Sequence, residues 1–158
     1  MAGFKRRRKL PHIEMPGATY FVTWRLHQRQ RELEPAERDR VVRTIRFFER
    51  SRYELVAHVV MNDHVHVMVT PSPAEPLADI VRSWKSYSAR ELKHDGRREG
   101  TVWSRDYFDR IMRDEAELRE KVHYILQNPW ARWPELGDYP WVGLGAVEGK
   151  LARELAIG

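Results

Sequence analysis

The stretch from Tyr53 to Thr70 leaves this chain few choices of fold. Tyr53, Leu55, Ala57 and Val59 alternate with Glu54, Val56, His58 and Val60, which is the two-residue period of a strand. Met61-Asn62-Asp63 is a short turn, and His64-Val65-His66-Val67-Met68-Val69-Thr70 is a second strand closed by Pro71 and Pro73. Strands joined this tightly pair antiparallel as a hairpin. A lone hairpin is marginal in water, so the remaining chain must supply more strands and helices to cover it.

Both are present. Pro16-Gly17 marks a turn before Tyr20-Phe21-Val22-Thr23-Trp24-Arg25-Leu26, where Tyr20, Val22, Trp24 and Leu26 alternate with Phe21, Thr23 and Arg25 as in a strand. A polar loop follows from His27 to Glu34. Pro35 then opens a helix over Ala36 to Arg52, with Val41, Val42, Ile45 and Phe48 at helical spacing. A second helix runs from about Pro76 to Lys93, and His94-Asp95-Gly96 ends it. Thr101-Val102-Trp103 and Tyr107 to Met112 read as short extended segments. The last helix begins near Asp114, where Asp114 and Glu117 have capping-box spacing, and stops before Pro129. Residues 130–158 read as an irregular packed tail with a short helix from Glu148. The order β-α-β-β-α-β-α is that of a split βαβ unit and predicts an α+β fold, with an antiparallel sheet and helices packed on one face.

Composition narrows the function. The 158 residues contain no internal repeat or low-complexity linker, so one domain is expected over 1–158. There is no cysteine, which excludes disulfides, thiolate nucleophiles and cysteine-held metals. Basic residues number 28 against 23 acidic, a net charge of +5. Five of them, Lys5, Arg6, Arg7, Arg8 and Lys9, form a basic arm within residues 1–10 that could hold phosphates or simply be solvated. Arg38, Arg40, Arg43 and Arg46 offer a second basic surface on the first helix. Trp84, Lys85 and Tyr87 on the next helix could contact bases or pack, with packing favoured for Trp84. No apolar run approaches the roughly 18 residues that span a bilayer, and Pro11, His12 and Glu14 break any signal-peptide core. A cytoplasmic protein with no membrane partner is the expectation.

The sharpest local feature is His64-Val65-His66. Residues i and i+2 on a strand share a face, so the two imidazoles stand about 7 Å apart along it. That arrangement suits two neutral nitrogens on one metal ion; on a solvent face the same pair would need no function. Asp63 could orient one ring or serve the turn. Histidine-triad hydrolases need a third histidine where this chain has Met68. Two-histidine phosphoesterases need a hydroxyl residue two places after each histidine, and neither has one.

A second feature lies on the last helix. Leu118, Val122, Ile125 and Leu126 form its apolar stripe, and at about 100° per residue Tyr124 falls off that stripe. Glu117, Lys121, Tyr124 and Asn128 share one edge at spacings of four, three and four. Tyr124 could act as a nucleophile, Lys121 could stabilise a phenolate or phosphate, and the Asn128 carbonyl could be a third metal ligand. The same row could equally be a solvated helix edge.

Taken together these residues resemble a known family. Met61-Asn62-Asp63-His64-Val65-His66 is similar to the His-hydrophobic-His motif of the single-tyrosine, insertion-sequence 200-like transposases. His123-Tyr124-Ile125-Leu126-Gln127-Asn128-Pro129 is similar to their C-terminal Tyr-Ile-x-x-Asn-Pro signature. Val102 to Asp109 and Ile111-Met112-Arg113-Asp114-Glu115 resemble a stretch of the REP-associated tyrosine transposases, and Pro16 to Thr23 resembles their first strand.

The resemblance implies a ferredoxin-like domain that cuts single-stranded DNA beside hairpins of repetitive extragenic palindromes (REP), forming a 5′-phosphotyrosine. Carried over by residue, His64 and His66 bind Mg²⁺ or Mn²⁺, Tyr124 is the nucleophile and Asn128 a third ligand. Insertion-sequence relatives carry Gln at that last position. For a DNA substrate, the charges of Lys5 to Lys9, Arg43 and Lys121 make them the expected nucleic-acid contacts. The implied protein is bacterial, nucleoid-associated, and a monomer or homodimer. Two other readings stay open: a non-catalytic hairpin binder on the same fold, and a metal phosphodiesterase that uses water.

Overall fold

The computed structural model describes residues 14–145. The basic arm and the helix expected from Glu148 lie outside the described residues. Elements run β1 (Tyr20–Arg25), α1 (Pro35–Phe47), β2 (Tyr53–Val60), β3 (His64–Pro71), α2 (Leu77–Asp95), β4 (Phe108–Ile111), α3 (Glu115–Arg132) and β5 (Val142–Leu144). The strands form one antiparallel sheet in the order β4-β1-β3-β2-β5. Its first four members have the ferredoxin-like arrangement, so the expected α+β class and antiparallel sheet are observed.

Helices α1 and α2 cover one face. Tyr20, Val22, Trp24, Val65, Val67 and Val69 from the sheet meet Val41, Ile45, Ile80, Val81 and Trp84 there. Trp84 donates to the Tyr53 hydroxyl (2.9 Å), which donates in turn to the Ile45 carbonyl. Helix α3 lies on the other face, where Val122 and Ile125 are buried against Phe21, Ala57, Val59 and Met68. The helices are therefore not all on one face. Alternation forces this outcome, because both sides of β1 and β3 carry large apolar groups and each side needs a cover.

Four further boundaries differ from expectation. The alternation of β2 is broken by a bulge: Leu55 pairs Val69 and Ala57 pairs Met68, which leaves Val56 extra. Tyr53 and Leu55 thus face α1 and α2, whereas Ala57 and Val59 face α3. Helix α1 stops at Phe47 rather than Arg52, since Arg50 takes a positive φ of 75° and its N–H bonds the Tyr53 carbonyl at 2.7 Å. Helix α3 passes through Pro129 to Arg132. Pro129 lacks the N–H that would bond the Ile125 carbonyl, and the helical pattern continues past it, with Trp133 donating to the Pro129 carbonyl at 2.8 Å. The tail is irregular only in part, because β5 adds an edge strand against β2. Just after β5, Gly145 passes so close to β2 that a Cβ there would sit 1.8 Å from the Leu55 carbonyl oxygen.

One polar cluster fastens the long connection after α2. Arg98 is buried and donates to both oxygens of Glu37 (2.7 and 2.8 Å), and to the carbonyls of Arg31 and Glu32. Glu37 also accepts the Glu34 N–H at 2.9 Å, which caps α1. At the other end, Glu14 accepts the Leu77 N–H at 2.6 Å and caps α2.

Candidate active site

The side chains of Phe21, Thr23 and Arg25 on β1 share a face with Met68, His66 and His64 of β3, because the register pairs them one to one. This is the α3 face. His64 and His66 stand side by side with ring centroids 4.7 Å apart. Across from them α3 places Tyr124, whose ring meets His66 edge-on at 5.5 Å and Phe21 at 6.1 Å. Phe21 itself stacks on His66, with centroids 5.2 Å apart and planes 20° from parallel. Tyr124 is half-exposed (50%), at the boundary between the α3 core and solvent.

Each imidazole is held at Nδ1. His64 Nδ1 lies 2.7 Å from Asp63 Oδ1, and His66 Nδ1 lies 2.7 Å from Thr23 Oγ1. Among the described residues His66 Nε2 is buried without a hydrogen-bond partner. Burial, helped by the charges of His64 and Arg25, lowers the His66 pKa to about 3. Burial also lowers that of His64, against the pull of Asp63. Both rings are therefore neutral at pH 7, the form in which imidazole binds a metal. Among the described residues no group of three His, Asp or Glu gathers as a cage. A cation would be held by the two Nε2 atoms and by oxygens from elsewhere. The orphaned Nε2 and neutral rings fit such an ion.

The row on α3 is partly tied to the sheet. Glu117 accepts from Arg110 Nε of β4 at 2.7 Å and from the Arg113 N–H at 2.9 Å. Asp114 accepts the Glu117 N–H, so half of the expected capping box forms. Lys121 Nζ lies 5.9 Å from the Phe21 ring and 6.0 Å from the Tyr124 ring, beside the proposed nucleophile. Asn128 is half-buried one turn beyond Tyr124.

Other expected contacts fall elsewhere. Arg43 is exposed on α1, across the sheet from the histidines, where it lines a groove with Phe47, Trp84 and Tyr87. Arg38 bonds the Leu33 carbonyl, Arg40 pairs with Asp95 and Arg46 bonds the Leu144 carbonyl, so these three brace the fold. Lys85 donates to the carbonyls of Ser104 and Arg105, and burial lowers its pKa to about 8. Trp84 is buried, as expected. Lys5 to Lys9 lie outside the described residues. Sequence reasoning missed Phe21, Thr23, Arg25 and Arg132. The last two put positive charge near His64. Same-face alternation on β1 would have nominated Phe21, Thr23 and Arg25, but only once the β1–β3 register was known.

A family model described as "Transposase IS200 like" matches residues 15–128. The chain belongs to the IS200-like transposase family. A Haemophilus influenzae protein named as a REP-associated tyrosine transposase is 26% identical over 87 residues, 49% of each chain. The match thus spans about half the length of that curated relative. Among solved structures, a REP-associated tyrosine transposase bound to a REP hairpin superposes with a TM-score of 0.71 at 22% identity, covering 93% of this chain and 87% of that one. A Deinococcus radiodurans R1 protein described as a transposase gives 0.53 at 22% identity, over 76% and 96% of the two chains. At these identities the structures speak for a shared fold. The residues matched by the family model include both the histidine pair on β3 and Tyr124 on α3.

Proposed function

We propose that this chain is a metal-dependent DNA endonuclease and strand transferase that cuts single-stranded DNA beside a hairpin through a 5′-phosphotyrosine at Tyr124. The observation that carries the reading is the meeting of Tyr124 with His66, whose Nε2 is buried without a partner among the described residues. The hairpin is inferred from the REP complex of the structural relative. Among the described residues no helix is long and apolar enough to cross a membrane.

His64 and His66, with Asn128 as a third donor, would hold Mg²⁺ or Mn²⁺; imidazole favours Mn²⁺. When bound, the ion would supply positive charge to the oxygens of the scissile phosphate. Tyr124 Oη attacks phosphorus, the bond to the 3′ oxygen breaks, and a free 3′-OH leaves. The phenol proton passes to water, and the departing oxygen takes a proton from water. One phosphoester bond forms for each one broken, so a 3′-OH can reverse the step and join strands without ATP. Lys121 beside the phenol and Arg25 beside His64 favour the negative charge that gathers during attack. Phe21 packs against both rings, beside the direct Tyr124–His66 contact, and helps to hold them in place.

The deciding experiment mixes the protein with a hairpin-bearing oligonucleotide and Mn²⁺ and looks for a covalent adduct on a denaturing gel. An adduct supports the reading. Cleavage without an adduct would favour the water-using phosphodiesterase, and binding without cleavage the non-catalytic hairpin binder.

A further inference from the structure

We propose that Thr23 is a positioning residue that holds His66 as the Nδ1–H tautomer, so that Nε2 keeps its lone pair for the cation. This rests on the metal-dependent reading above. A neutral imidazole has one N–H and one lone pair, and its surroundings decide which nitrogen carries which. Thr23 Oγ1 lies 2.7 Å from His66 Nδ1, and both residues are buried. A hydroxyl can donate or accept, so this contact alone leaves two arrangements.

The other end of the ring chooses between them. His66 Nε2 is buried with no hydrogen-bond partner among the described residues. A proton there would be a buried donor with no acceptor, whereas a lone pair there has a partner in the cation of the proposed reading. With the proton on Nδ1, Thr23 accepts it and the bare Nε2 faces its neighbours as a lone pair. His64 supplies an independent parallel. Its Nδ1 meets Asp63 Oδ1 at 2.7 Å, and an ionised carboxylate only accepts. His64 is therefore also Nδ1–H, and the adjacent rings present the same atom.

Backbone and packing keep this arrangement in place. Thr23 and His66 are directly opposed across the β1–β3 ladder, so the hydroxyl arrives from a rigid strand rather than a loop. Phe21, two residues earlier on the same face, stacks on the His66 ring at 5.2 Å and opposes its rotation. A partner that fixes tautomer and ring angle typically changes metal affinity by about 10–100-fold when removed.

The test uses the full chain freed of metal, with Thr23→Val and Thr23→Ser beside wild type. Long-range ¹H–¹⁵N correlations report each histidine tautomer directly and need no metal. Wild type and Thr23→Ser should show His66 as Nδ1–H, and Thr23→Val should lose that preference. The free Mn²⁺ electron paramagnetic resonance signal then gives affinity. Thr23→Val should bind about 10–100-fold more weakly, with Thr23→Ser close to wild type. An Nε2–H tautomer in the wild-type protein overturns the proposal without recourse to any variant, as does unchanged Mn²⁺ affinity in a folded Thr23→Val. The expected tautomers with no Mn²⁺ binding by wild type would instead sink the metal reading and leave the Thr23 contact standing.

Discussion

The phenol ring of Tyr124 meets the imidazole of His66 edge-on, with ring centroids 5.5 Å apart and planes at 66°. Helix α3 makes the meeting by burying Val122 and Ile125 against the sheet face that carries the histidines, which leaves Tyr124 between core and solvent. Tyr124→Phe keeps that ring and its packing and removes only the oxygen. Hairpin binding should stay within about twofold, while covalent adduct formation disappears. An adduct that survives would redirect the search to Tyr87 or Tyr107.

His64→Ala and His66→Ala should each abolish metal-dependent cleavage, and excess EDTA should mimic both in the wild type. Loss of His66 also removes the ring under Phe21, so that variant should lose about 1–2 kcal/mol of stability yet remain folded. Circular dichroism melts alongside the cleavage assay separate the two effects. Full cleavage in EDTA would take the metal out of the mechanism.

Much of this site was readable from the residues because it depends on short-range periods. Two histidines at i and i+2 must share a strand face, and Tyr124 had to leave a stripe defined by Val122 and Ile125. Expectation failed where the physics is long-range or cancels locally. An extra residue at Val56 changes no composition, yet it moves Ala57 and Val59 to the other face. Pro129 deletes one donor in α3, a cost offset by burial of its own ring and by the Trp130 indole bonding the Leu136 and Gly137 carbonyls. The strand β5 is three residues long and exists because β2 offers an edge. Thr23 looks like any strand threonine until the register puts His66 opposite.

The Glu37–Arg98 pair was equally hidden, because 61 positions separate the partners. Burial raises the Glu37 pKa, but hydrogen bonds from Arg98, Glu34 and Arg31 outweigh it and leave it lowered from 4.5 to about 2. A carboxylate with a depressed folded-state pKa contributes stability that is present above its unfolded value and lost as pH falls through the folded one. That contribution should fade between about pH 4.5 and 2. Glu37→Gln leaves the Arg98 guanidinium buried without its counter-charge, and should cost about 3 kcal/mol at pH 7. At about 2–4 °C per kcal/mol, the Tm should fall by about 6–12 °C. The variant should also lose the wild type's sensitivity across that acid window. Equal melting profiles for the two proteins would show that the pair contributes nothing net.

Deleting the residues before Leu10 tests the basic arm. Five adjacent charges, Lys5 to Lys9, could release up to about five counterions from DNA, so the slope of log affinity against log salt should flatten by up to about 3–4 units. Fluorescence anisotropy with a hairpin oligonucleotide at several salt concentrations gives that slope. The same slope with and without the arm would assign DNA binding to the residues that follow it.

Strand polarity tests the chemistry most directly. The proposed attack leaves Tyr124 on the 5′ phosphate of the downstream fragment and frees a 3′-OH upstream. An in-line displacement expels the oxygen opposite the attacking phenol, and the resemblance to single-tyrosine transposases implies that this oxygen is the 3′ one. Tyr124 stands on a helix facing the strand that carries His64 and His66, so a phosphate between them is approached by the phenol from the α3 side. A hairpin oligonucleotide labelled at its 5′ end should therefore release a free labelled fragment on a denaturing gel. The same oligonucleotide labelled at its 3′ end should migrate with the protein. The opposite pattern would mean that the 5′ oxygen departs, and it would overturn the proposed reaction even with Tyr124 confirmed as nucleophile.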